Sequence, residues 1–167
     1  MIDLYSNHTN PETLHGYKDR FKIPGFAYEE AKRTGNWTEA EPYIMKDPES
    51  VYWYARGVIG DRWSEAEPYI MKDPYYAFLY ARYVIEGRFP EAEPYIMKDP
   101  EYAYMYARDI RKKGRWSEAE PYIMKNPTYA YWYARYVIEG RFPEAEPYIM
   151  KSPEYAAEYN EFIGNNT

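Results

Sequence analysis

Cysteine is absent from this chain, which excludes disulfides and thiolate metal sites and fits a reducing compartment such as the cytoplasm. Histidine is almost absent as well. His8 and His15 are the only two, a thin basis for metal binding or general-base chemistry. No apolar run reaches the roughly 20 residues that a membrane-spanning helix needs. The first residues, Met1 to His8, lack the basic start and apolar core of a signal peptide. Positive charge is in the minority: Lys+Arg 21 against Asp+Glu 27 leaves a formal charge of −6, which argues against a general binder of nucleic acid or anionic membrane. Neither a phosphate-cradling glycine loop nor a nucleophile with a partner base is present in the pattern. The expectation is a soluble, cytoplasmic chain that is not an enzyme, takes no cofactor and engages no membrane.

Tyrosine and repetition are abundant instead. There are 23 tyrosines in 167 residues and a 20% aromatic share. The segment Glu-Ala-Glu-Pro-Tyr-Ile-Met-Lys begins at Glu39, Glu65, Glu91, Glu118 and Glu144, in steps of 26, 26, 27 and 26. A fixed period of this size marks a stacked repeat architecture. Units this short cannot bury their own apolar face, so neighbours stack and build an extended surface.

Each unit reads as a long helix, a Gly-Arg turn and a short helix. Asp47-Pro48, Asp73-Pro74, Asp99-Pro100, Asn126-Pro127 and Ser152-Pro153 are helix starts, a capping side chain followed by proline at the first helical position. Gly60, Gly87, Gly114 and Gly140 are the expected left-handed helix ends. Ser64 with Glu67, Ser117 with Glu120 and Thr38 with Glu41 read as capping boxes of the short helix, replaced by Pro90 and Pro143 in the other copies; the short helix should end near Lys72. Counted from the proline, positions +3, +7 and +10 hold Ala77, Ala81 and Val84, then Ala103, Ala107 and Ile110, then Ala130, Ala134 and Val137. Small residues at this spacing predict the core stripe. Tyr80, Tyr106 and Tyr133 at +6 border it, and Ile70 and Met71 with their copies fill in from the short helix.

The succession Ala107, Gly114, Ala119, Pro127, at steps of seven, five and eight, resembles the tetratricopeptide repeat, with the second helix about one turn shorter than in that family. The wording Arg-Phe-Pro-Glu-Ala-Glu-Pro-Tyr-Ile-Met-Lys also resembles short tandem repeats of tailed-phage proteins. The expected fold is all-α: a right-handed solenoid of stacked αα-hairpins, about five repeats of 26–27 residues. Residues 1–35 would form a degenerate N-terminal helical cap, 36–163 the tandem repeats and 164–167 a tail. Within the cap, Ile23-Pro24-Gly25-Phe26 through Gly35 reads as a shortened long helix, and Asn10-Pro11 as an earlier helix start. In the last unit Glu158, Asn160 and Glu161 stand where earlier units carry Trp132, Ala134 and Arg135, polarity suited to a helix with no neighbour beyond it.

Opposite the alanine stripe lies the candidate partner-binding set. Positions +4 and +5 hold Tyr52 and Trp53, Phe78 and Leu79, Tyr104 and Met105, Tyr131 and Trp132. Position +8 holds Arg56, Arg82, Arg108 and Arg135, and position +9 includes Tyr83 and Tyr136, with Gly57 and Asp109 in the other units. The tetratricopeptide resemblance implies that this side lines a concave, peptide-receiving groove, and Trp, Tyr, Met and Arg are enriched at interfaces. The bland reading is that the +4 tyrosines pack between repeats and that the arginines pair with Glu65, Glu67 and their copies. The paired glutamates, two residues apart, do not face one another on a helix and read as scaffold.

Three functions compete. The first is a protein-interaction module that binds a protein or peptide, a host protein if the chain is phage-encoded, occupying or inhibiting that host factor. The second is capture of an anionic small ligand, a nucleotide or single-stranded nucleic acid by repeated Tyr/Trp and Arg sets. The overall charge opposes it, although residues 101–126 carry Arg108, Arg111, Lys112, Lys113, Arg115 and Lys125 against Glu101, Asp109, Glu118 and Glu120. The third, an acidic surface imitating nucleic acid, suits the modest and interspersed charge least.

Overall fold

The structure, a computed structural model, describes residues 20, 22–35, 38–112 and 114–164. His8, His15, Asn10-Pro11, Trp37 and Lys113 lie outside the described residues. The described chain is all-helical, without strands, and consists of repeated helix pairs packed against their neighbours. This is the α-solenoid arrangement expected from the period. It divides into two compact units, Met1–Ile70 and Met71–Thr167.

In the first unit, α1 (Pro24–Thr34) packs on the short helix α2 (Glu41–Ile44) and on α3 (Pro48–Tyr54), and α3 packs on α4 (Glu67–Ile70). In the second, the long helices α5 (Pro74–Tyr80), α7 (Pro100–Tyr106), α9 (Pro127–Tyr133) and α11 (Pro153–Gly164) stack in sequence. The short helices α6 (Glu93–Ile96), α8 (Glu120–Ile123) and α10 (Glu146–Ile149) join them as the second layer.

The helix starts follow from Asp-Pro. Asp47 accepts from the Ser50 N–H at 2.8 Å, Asp73 from Tyr76 at 3.0 Å, and Asp99 from Glu101 at 2.9 Å. Asn126 accepts from Thr128 at 3.0 Å. Each side chain thus satisfies an amide that the first helical turn leaves without a partner.

The helix ends depart from expectation. Each of α3, α5, α7 and α9 continues into a wider π turn: Ala55–Ile59, Ala81–Ile85, Ala107–Arg111 and Ala134–Ile138. All four begin at the alanine of position +7, whose carbonyl accepts from the amide five residues on, as Ala55 does from Gly60 at 2.8 Å and Ala107 from Lys112 at 3.1 Å. In α11 position +7 is Asn160, and the helix stays regular through Gly164. The extra residue in the turn rotates the residues after it, so Val84, Ile110 and Val137 at +10 are half-buried instead of completing the fully buried stripe of +3 and +7. It also shifts the left-handed residue to position +12. There the first unit has Gly60 (φ 74) but the second has Glu86 (φ 54), Lys112 (φ 58) and Glu139 (φ 57). Gly60 therefore stands at the position that demands left-handed backbone, whereas Gly87 and Gly140 do not adopt it. A side chain in this conformation costs about 1–2 kcal/mol.

The short helices are also shorter than the capping-box pattern suggests. Each spans four residues, and alanine (Ala40, Ala92, Ala119, Ala145) precedes it with no side-chain cap. A tight turn leads in, with the carbonyl of Trp63 or Phe89 accepting from the alanine amide at 3.0 Å. Serine and proline copies fold alike because the turn uses backbone groups. The glutamate expected to reach back to a cap is engaged elsewhere.

That engagement is the main tie between repeats. Tyr106, at +6 of α7, accepts a hydrogen bond from the Phe89 N–H at 2.7 Å and lies 3.1 Å from Glu93 Oε1, donating its proton there. Tyr133 does the same with Trp116 and Glu120, and Tyr159 with Phe142 and Glu146. Within the first unit Tyr54 donates to Glu41 at 3.1 Å. The ring of each turn aromatic packs, tilted, on the +6 tyrosine of the long helix before it: Trp63 on Tyr54, Phe89 on Tyr80, Trp116 on Tyr106 and Phe142 on Tyr133, with ring centroids 4.8–5.7 Å apart. The glutamates are closed from outside by the turn arginines, Arg62 on Glu67, Arg88 on Glu93, Arg115 on Glu120 and Arg141 on Glu146. Burial pushes the Glu93 carboxyl up, but the hydrogen bonds from Arg88 and Tyr106 and the charges of Arg88 and Arg111 outweigh it and hold the group below its ordinary range.

Candidate functional site

Consecutive positions of the long helix fall into different environments. At +4, Tyr52, Phe78, Tyr104 and Tyr131 are buried, Tyr104 with only 2% exposure. In the second unit their rings face the long helix of the next repeat: Phe78 against Tyr102 at 6.4 Å, Tyr104 against Tyr129 at 6.2 Å and Tyr131 against Tyr155 at 5.8 Å. Phe78, Tyr104 and Tyr131 belong to inter-repeat packing, and Tyr52 is buried to the same degree.

Position +5 points outward, as the 100° spacing implies. Trp53 is 41% and Trp132 36% exposed, while Leu79 and Met105 are half-buried. Trp132 rests on Tyr104 at 5.9 Å and on Tyr129 at 5.8 Å, so its ring is supported from beneath and open above. At +9, Tyr83 and Tyr136 are 42% and 53% exposed. Asp109 is half-buried and Gly57 exposed.

Arg82, Arg108 and Arg135 of +8 engage partners other than the short-helix glutamates. Arg56 Nη1 donates to the Tyr52 hydroxyl at 2.5 Å, Arg108 to Tyr104 at 3.0 Å and Arg135 to Tyr131 at 2.5 Å. Phe78 has no hydroxyl, and Arg82 instead pairs with Asp109 of the next repeat. Asp109 also takes Arg108 at 2.6 Å. Burial raises its carboxyl pKa, and the two guanidinium groups overcome that and hold it below the usual range. The same surroundings push Arg108 further up. The +8 arginines are thus held in place by the buried +4 residues or by Asp109, with their outer edges at the surface. The turn arginines Arg62, Arg88, Arg115 and Arg141, which were not candidates, are the ones that close the glutamates.

Open grooves run past these residues. In the second unit a cavity of about 730 Å³ is lined by Arg82, Tyr83, Glu86, Gly87, Arg108, Asp109, Ile110 and Lys112. A neighbour of about 340 Å³ shares Arg108 and Lys112 with it and adds Tyr136 and Glu139. In the first unit a cavity of about 510 Å³ lies between α1 and α3, with Trp53, Tyr28 and Lys32 on its wall. No protein-family model, no curated protein and no solved structure matches this chain. The structure shows regularly spaced helix pairs, and the tetratricopeptide likeness rests on residue order alone.

Among the described residues no group of histidine, aspartate and glutamate side chains is arranged to hold a metal ion, and no helix is long and apolar enough to cross a membrane. Three cavity-lining residues were not among the partner-binding candidates: Glu86 on the larger second-unit cavity, Glu139 on the smaller, and Lys112, which lines both. Their signal was present in the repeat alignment, where position +12 is glycine once and a charged residue three times. Without the π turn, nothing marked that position as the left-handed one.

Proposed function

We propose that the chain is a non-enzymatic protein-interaction module that receives a protein or peptide on the outward side of its long helices. The observation that carries this reading is Trp132. It is a large aromatic ring, propped on Tyr104 and Tyr129 and open to solvent, beside Arg135 and the exposed Tyr136. Folding gains little from leaving such a ring outside, whereas rigid, partly exposed Trp, Tyr and Arg side chains are the groups that dominate interface energetics. Within the second unit Tyr83, Leu79, Met105, Arg82 and Arg108 extend the same surface, with grooves alongside. The buried +4 tyrosines serve it indirectly by fixing the guanidinium groups.

Were the chain phage-encoded, as its wording suggests, the partner would be a host protein occupied or inhibited by this surface. Capture of a nucleotide or single strand draws support from the arginines lying over aromatic rings, such as Arg108 over Tyr104 at 5.1 Å. That support is smaller, because Arg82 and Arg108 already share Asp109. Affinity enrichment from cell lysate tests the proposal. A specific protein should be retained by the purified chain and released when Trp53 and Trp132 are both changed to alanine; equal retention by the double variant removes the aromatic surface as the binding face.

A further inference from the structure

The left-handed position +12 departs from the economy of the rest of the repeat. Gly60 shows which residue suits it, yet the second unit keeps Glu86, Lys112 and Glu139 there, each at positive φ. All three side chains are exposed, and none forms a hydrogen bond or ion pair with another described residue. Glu86 and Lys112 line the larger cavity, and Lys112 and Glu139 the smaller one. Charge is therefore retained, in a strained backbone, at the wall of the groove and with no polar partner among the described residues.

We infer that Glu86, Lys112 and Glu139 form a charge-reading row, and that the row selects an extended peptide carrying one acidic side chain between two basic ones. This rests on the interaction reading above and adds the chemistry of the partner. The signs run negative, positive, negative along the stack, and Lys112 supplies the positive centre, since Arg108, which lines both cavities, is already paired with Asp109. The π turns of successive long helices in the second unit pack directly on one another. Packed helices lie about 8–10 Å apart, and an extended chain advances about 3.3 Å per residue. One repeat therefore corresponds to roughly three peptide residues. The complementary ligand is basic, two spacers, acidic, two spacers, basic, and this pattern reads the same in either chain direction. Tyr83 and Tyr136 beside the row suit aromatic spacers. A nucleic-acid strand fits less well, since its phosphates recur at every nucleotide and would press against Glu86 and Glu139 as well as meeting Lys112.

A scaffold explanation exists: opposite charges on neighbouring repeats could steady the stack. The two differ in what Lys112→Gly does. For a structural ladder the substitution lowers the melting temperature. For a ligand-reading residue it leaves that temperature unchanged or raises it, because the strain goes, while binding falls.

The test uses the full chain and two fluorescein-labelled peptides of identical composition, read by fluorescence anisotropy. The first is Lys-Tyr-Ser-Glu-Tyr-Ser-Lys, and the second, Glu-Tyr-Ser-Lys-Tyr-Ser-Lys, moves the acid to the end. The first should bind about tenfold more tightly than the second, as expected for a correctly placed charge pair. Lys112→Gly should abolish that preference without lowering the melting temperature. Lys112→Glu should turn the preference toward Lys-Tyr-Ser-Lys-Tyr-Ser-Lys. Equal binding of the two isomers, no binding of either, or a preference that survives Lys112→Gly overturns the row. So does a fall in melting temperature with that variant, and so does an oligonucleotide that binds more tightly than both peptides. These failures leave the interaction module standing if changing Trp53 and Trp132 to alanine still releases a partner from lysate; loss of that result as well removes both.

Discussion

Trp132 and Tyr133 are neighbours in α9, and they lead different lives. Tyr133 is fully buried: its hydroxyl accepts the Trp116 N–H, donates to Glu120, and its ring packs, tilted, on Phe142. Trp132 lies over two tyrosine rings and faces solvent. The repeats respond accordingly. Position +6 is tyrosine in all five units, Tyr54, Tyr80, Tyr106, Tyr133 and Tyr159, while +5 runs Trp53, Leu79, Met105, Trp132 and Glu158. A residue with three simultaneous jobs in a closed space tolerates no replacement, because any substitute leaves a buried amide or carboxylate without its partner. A residue with one open side is free to vary, and variation there changes what the surface offers without disturbing the stack. One step of 100° separates scaffold from recognition.

The sharpest way to break this comparison is to truncate both residues. Tyr133→Ala should cost about 3–5 kcal/mol in chemical denaturation, from the cavity and the stranded polar groups together. Trp132→Ala should cost under about 1 kcal/mol, as surface changes do. Similar losses for the two would show that Trp132 is core.

Ala107→Leu should come next, destabilising by roughly 1–3 kcal/mol. Ala107 is buried at the start of a π turn that packs on the corresponding turns of its neighbours, and added methylenes have nowhere to go. A melting curve unchanged by this substitution would mean that the alanine stripe is looser than its burial implies.

The tyrosine–glutamate tie also has a pH signature. The Glu93 carboxyl titrates below its ordinary value, so in the folded protein it holds its proton less tightly than in the unfolded chain. Its contribution is fully present above the unfolded carboxyl pKa of about 4.3 and is lost as the pH falls through the lower folded value. Comparing Glu93→Gln with the parent chain isolates it. The stability gap between them should be widest near neutral pH and close on acidification, and a gap independent of pH would contradict the ion-pair role of Arg88 and Arg111.

The smallest expected effect separates the two kinds of helix end. Glu139→Gly removes left-handed strain at φ 57, and after the greater chain entropy of glycine is subtracted it should gain up to about 1 kcal/mol. Gly60→Ala should lose a comparable amount, although open space surrounds the added methyl, since the penalty lies in the backbone. Thermal denaturation resolves both, and a stabilising Gly60→Ala would refute the assignment of strain.

Much of the scaffold was legible in the sequence. The period, the Asp-Pro starts and the buried alanines of +3 and +7 follow from local chemistry, and local chemistry is written in short stretches of chain. The outward direction of Trp53 and Trp132 follows from helical geometry alone. Tyr52, Phe78, Tyr104 and Tyr131 were harder, because position +4 lies between stripe and surface and only the neighbouring helix determines which it joins. The capping boxes misled for a related reason: Glu41 is taken by Tyr54 across 13 residues, Glu67 by Arg62 in the turn, and Glu120 by both Arg115 in the turn and Tyr133 across 13 residues.

By itself, then, the sequence determined the all-helical repeat, where each long helix begins, and which of its faces must be covered. Only the tertiary structure decided that each long helix from α3 to α9 widens at its alanine, that the left-handed position moves one residue ahead of Gly87 and Gly140, and that Glu86, Lys112 and Glu139 come to line a groove. The physical reason is reach. Caps and amphipathic stripes depend on contacts three or four residues apart, whereas Tyr106 meets Phe89 and Glu93 across 17 and 13 residues, and the π turns of the second unit pack against each other one whole repeat apart.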